Sequence, residues 1–109
     1  MNALNKFMYF AVAGDNATAY PVSSLRGIDT AAGKLHLYFT PHRISNVDTG
    51  DAVDHITLSC VADESVALQN VIEAVNMTVV GVPFVVISDS EKGKHVLGVT
   101  ACDSIVYAT

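Results

Sequence analysis

The chain reads as one α+β domain over residues 1–109, an antiparallel sheet or partly closed barrel of about six strands with one amphipathic helix at about residues 63–76. Three observations carry this expectation. Asp54 to Cys60 alternates, which puts Ile56, Leu58 and Cys60 on one face and His55, Thr57 and Ser59 on the other. Beyond Asp63 the apolar spacing changes to Leu68, Val71, Ile72 and Val75, the stripe of a helix lying against a core. Half of the residues are hydrophobic, yet Trp is absent and aromatics are few. Val, Ile, Leu and Ala must therefore fill the interior, and β-branched side chains suit a pleated, half-buried surface.

Taken in order, Lys6 to Ala13 predicts the first strand, and Gly14 to Ala17 supplies turn chemistry for a return through Thr18-Ala19-Tyr20. Pro21 fixes its own φ ahead of two serines, so Pro21 to Leu25 predicts a short helical turn before Arg26-Gly27-Ile28 extends again. A turn is expected over Asp29 to Gly33. Lys34 to Thr40 alternates, with Leu35, Leu37 and Phe39 pointing in and His36, Tyr38 and Thr40 pointing out. Pro41 to Asp51 reads as a loop. If the strands on either side of it pair antiparallel, parity sets His36, Tyr38 and Thr40 beside His55, Thr57 and Ser59. Asp63 is the expected N-cap of the helix, with Glu64 complementing the dipole and Gln69, Asn70, Glu73 and Asn76 facing water. Val79-Val80 leads through Gly81-Val82-Pro83 into a buried-type strand at Phe84 to Ser88. Asp89 to Gly93 is a charged turn, and His95 to Cys102 with Ser104 to Ala108 provide one or two last strands.

Charge narrows the function. The net charge is −5, and the six cations (Lys6, Arg26, Lys34, Arg43, Lys92 and Lys94) are scattered. Phosphate backbones and anionic membranes both require clustered cations, so no nucleic acid and no membrane is expected as a partner. The first residues lack the charged start and long apolar run of a signal peptide, and no segment reaches the roughly 20 apolar residues of a membrane span. Synthesis in a cytoplasm is the expectation. Cys60 is in phase with Ile56 and Leu58, which reads as a small core residue, and Cys102 lies far from it without a CxxC. Free thiols are expected, with a disulfide as the alternative.

Residues that could carry chemistry do not converge. His36 and His55 approach one another in the expected hairpin, but zinc takes three or four ligands and neither cysteine shares that face. Asp48, Asp51 and Asp54 surround Gly50 without the order of a calcium loop, and the serines sit in no GxSxG context. His42 and His95 read as loop and strand-edge residues. The prediction is a protein that is not an enzyme, with no catalytic, cofactor-binding or metal residues. The uncharged, Val-rich run Met77 to Ile87 is the strongest remaining signal. It reads as a central strand or as surface buried by another subunit.

Tyr20 to Ile28 (YPVSSLRGI), Leu35 to Phe39 (LHLYF), Asp54 to Leu58 (DHITL) and Lys94 to Ile105 (KHVLGVTACDSI) together resemble small proteins encoded by marine tailed phages. The resemblance covers about Lys6 to Ala108 and rests on structural motifs. It implies a virion-associated protein, a capsid decoration or cement protein on the capsid surface, made in the host cytoplasm. Its partners would be the phage major shell protein and copies of itself. The interaction residues expected on that reading are His36, Tyr38, His55 and Thr57 on the hairpin face, and Val79, Val80, Val82, Phe84 and Val86 on the apolar run. The alternatives are an intracellular phage-encoded module that binds a host protein, and a small metal- or ligand-binding domain using His36 and His55.

Overall fold

The computed structural model describes residues 6–14, 16–41, 53–61, 63–76 and 84–107. Its strands are β1 (Phe7–Ala11), β2 (Ala17–Pro21), β3 (Leu25–Ala31), β4 (Lys34–Phe39), β5 (Asp54–Cys60), β6 (Phe84–Asp89), β7 (Lys94–His95) and β8 (Val99–Val106), with helix α1 at Glu64–Asn76. They form two four-stranded sheets, one ordered β2-β1-β6-β7 and the other β3-β4-β5-β8. The domain is therefore β-rich with a single described helix. Among the described residues the sheets do not close into one barrel, and the strands number eight instead of about six.

The expected first hairpin is present as β1 and β2, paired antiparallel from Phe7↔Pro21 to Ala11↔Ala17. Pro21 is extended, and the three residues Val22–Ser24 form the expected helical turn, a 3-10 turn that hands the chain to the second sheet. The turn expected over Asp29 to Gly33 contracts to Ala32-Gly33, because β3 continues to Ala31 and pairs with Lys34. Ala32 (φ 51°) and Gly33 (φ 79°) are both left-handed, the conformation whose twist matches a two-residue hairpin. The Gly33 amide donates to Glu64 Oε2 at 2.6 Å, so this turn is tied to the start of the helix.

Asp63 caps α1 as expected, accepting at Oδ1 from the Ser65 amide at 3.2 Å. The helix stripe is rotated from the expected one. Ala67 and Val71 are fully buried, Leu68 and Val75 pack at the margin, and Ile72 remains 43% exposed. The reason is Gly98, which has φ +94° and lies so close that a Cβ there would stand 3.0 Å from Ala67 Cα. Only a small residue on the helix and none on the turn allow that approach. The same turn breaks the strand expected from His95 to Cys102. Lys94 and His95 pair with β6, whereas Val99 onward pairs with β5, so the chain changes sheets at Val96 to Gly98.

The inner faces share one core. Met8, Phe10 and Tyr20 from the first sheet meet Leu35, Leu37, Phe39, Ile56, Leu58, Cys102 and Ile105 from the second, joined by Ala67 and Val71. Phe39 bridges the layers, edge-on to Phe10 and stacked on Tyr20 with ring centroids 4.2 Å apart. The Tyr20 hydroxyl donates to the buried Asp54 carboxylate at 2.6 Å. Burial and that carboxylate push the phenol far above its ordinary pKa. Both cysteines are free thiols. Cys102 is buried and its pKa is pushed up to about 12 by burial. Cys60, at the end of β5, is half-buried and packs against the margin of the core. No described helix is long and apolar enough to cross a membrane.

Candidate functional site

Alternation gives each sheet an outer face, and these two faces hold the candidate residues. On the β3-β4-β5-β8 sheet, Tyr38 lies opposite His55, and His55 opposite Val106. One row along, Asp29 faces His36, His36 faces Thr57, and Thr57 faces Ser104. The expected hairpin face is thus assembled with the expected parity, except that Thr40 lies beyond the end of β4 and Lys34 stands opposite Ser59.

His36 and His55 are diagonal neighbours, with Nδ1 of His36 3.0 Å from Nε2 of His55. Tyr38 stacks on the His55 ring at 4.9 Å, nearly parallel, and its hydroxyl reaches Asp29 at 3.4 Å. Thr57 Oγ1 lies 3.5 Å from both imidazoles. Burial, then the neighbouring His36, hold the His55 pKa below its ordinary value, while Asp29 pulls the other way. Burial and Asp29 push the Tyr38 phenol up.

Further along the face, Lys34 Nζ donates to Ser59 at 2.8 Å and forms an ion pair with Asp103. Ser59 donates to Asp103 at 2.7 Å. Burial alone would raise the Asp103 pKa, but hydrogen bonds from Lys34 and Ser59 and the lysine charge bring it below the ordinary value. With Asp103 holding its ammonium, Lys34 serves as a salt-bridge partner, and Ser59 gains no base from it.

The outer face of the β2-β1-β6-β7 sheet has a different composition. Phe7 pairs with Pro21 on one side and Phe84 on the other, and Tyr9 pairs with Ala19 and Val86. The Tyr9 and Phe84 rings are 5.9 Å apart. Phe7 is 42% and Phe84 46% exposed, a contiguous aromatic and aliphatic surface. Phe84 and Val86 were expected in such a surface. Phe7 and Tyr9 were not, although the alternation of KFMYFA, with Met8 and Phe10 fully buried, carried the signal. Val79, Val80 and Val82 lie outside the described residues, as do His42, Asp48 and Asp51.

Two other groupings are internal. Asp54, grouped in the sequence with Asp48 and Asp51, is buried and accepts from the Tyr20 hydroxyl. Ser88 Oγ is 2.8 Å from His95 Nδ1, but Ser88 is fully buried and presents nothing to a substrate. Among the described residues, no group of three or more His, Cys, Asp and Glu side chains is arranged to hold a metal ion. No protein-family model, curated protein or solved structure matches this chain.

Proposed function

We propose that this protein is a non-enzymatic virion structural protein, a capsid decoration or cement subunit that binds the phage major shell protein and neighbouring copies of itself at the capsid surface. The observation that carries the proposal is the partly exposed apolar surface of Phe7, Tyr9, Phe84 and Val86 on adjacent strands of one sheet. Aromatic side chains bring large contact area with little conformational freedom to lose, the property of an interface anchor. The resemblance of the four quoted segments to small phage proteins supplies the setting. The hairpin face of His36, Tyr38, His55 and Thr57 is the secondary contact, since its polar atoms already have partners and must keep them when covered.

Decoration works by linkage. A subunit that binds only the assembled shell stabilises that state over its separated parts, and repeated contacts between neighbours let modest single-site affinity suffice. Quantitative mass spectrometry of purified particles from the source phage tests this reading. Copy numbers comparable to the major shell protein are expected. Absence from particles overturns the proposal and leaves an intracellular module that binds a host protein.

A further inference from the structure

The paired histidines of the hairpin face have a geometry that neither the core nor the aromatic docking face requires. His36 Nδ1 and His55 Nε2 face one another at 3.0 Å across adjacent antiparallel strands. One of these nitrogens donates a proton to the other in the hydrogen bond. Each imidazole has a second ring nitrogen, so a tautomer shift moves that proton outward and frees both facing lone pairs without charging either ring. Two nitrogens bound to one cation at about 2.0–2.1 Å stand about 2.9 Å apart at a right angle and about 3.3 Å apart at a tetrahedral angle. The observed separation falls between those values.

We propose that His36 Nδ1 and His55 Nε2 form a bidentate surface site for a divalent transition-metal cation of the Cu2+ and Zn2+ class. The strands make the chelate rigid. Leu35, Leu37, Ile56 and Leu58 alternate with these residues and are fully buried, which anchors both backbones. Tyr38 stacks on His55 and fixes its ring. Since no third described His, Cys, Asp or Glu side chain completes the set, the remaining coordination positions are open to water. The near-right-angle spacing and the Irving–Williams order both rank Cu2+ above Zn2+.

Calorimetric titration of the full chain with Cu2+ and with Zn2+, with electron paramagnetic resonance of the Cu2+ form, tests the site. One ion per chain is expected, with hyperfine structure from two nitrogens and tighter binding of Cu2+. His36→Gln and His55→Gln should each weaken binding about tenfold or more while melting as the parent does above pH 7, because each removes one of two ligands from an outer face. His95→Ala should leave affinity unchanged. Failure of the parent to bind Cu2+, or binding that survives both histidine variants, overturns the proposal.

Discussion

On the outer face of the β2-β1-β6-β7 sheet, Phe7, Tyr9, Phe84 and Val86 pair with one another and with Pro21 and Ala19. On the opposite side of the sandwich, Lys34, His36, Tyr38, His55 and Ser59 are each held by a polar partner on the same sheet. One rule of alternation builds both surfaces, but their energetics differ. Covering the aromatic face removes apolar area from water at about 25 cal/mol per Å2 and disturbs few hydrogen bonds. Covering the histidine face gains little unless a partner preserves the bonds already made there. That difference is why we propose docking for the first surface and a compact ligand for the second.

The largest expected effect comes from removing what the two faces share. Phe39→Ala takes away the ring that touches Phe10 and Tyr20 across the layers, and should cost about 3–5 kcal/mol in urea unfolding. Both faces are then lost together, which would show that they depend on a single core. Next is Gly98→Ala, which forces a side chain into a left-handed backbone 3.0 Å from Ala67. A loss of about 1–3 kcal/mol is expected, with the helix end of the molecule opening first in hydrogen exchange.

Substitutions on the faces themselves separate them. Phe84→Lys should leave stability within about 0.5 kcal/mol of the parent, while binding to particles stripped of this protein falls about tenfold or more. Tyr38→Glu should leave the fold equally intact and weaken the same binding less. Equal losses from both substitutions would erase the proposed difference between the faces.

The smallest effect is that of acid. The folded His55 pKa lies below its unfolded value of about 6.5, so the unfolded chain binds its proton more readily. The stability linked to this group is fully present above that pH and declines as pH falls toward the folded value. His36 adds to this loss and Asp29 opposes it, so His36→Gln should flatten the decline between pH 7 and pH 5 in thermal melts.

The hairpin face was legible in the sequence because it depends on short-range order. Lys34 to Phe39 and Asp54 to Cys60 each alternate, and antiparallel pairing then fixes which side chains share the outer face, though the register that sets His36 opposite Thr57 and Tyr38 opposite His55 was not legible in it. The aromatic face was only half legible. It requires the parallel pairing of β1 with β6, which brings Phe7 beside Phe84 from opposite ends of the chain. Alternation tells which side of a strand a residue occupies, not which distant strand lies next to it. The helix shows the same limit. Its apolar stripe was readable, but the rotation that buries Ala67 and exposes Ile72 is set by Gly98, a contact with no local signature.

Hydroxyl-radical footprinting of the protein, free and bound to particles, tests the central claim most directly. Oxidation of Phe7, Tyr9 and Phe84 should fall sharply on binding, while that of Tyr38 and His55 changes less. Unchanged oxidation of the three aromatic residues on β1 and β6, or protection confined to Tyr38 and His55, would contradict the assignment of the aromatic face as the principal docking surface.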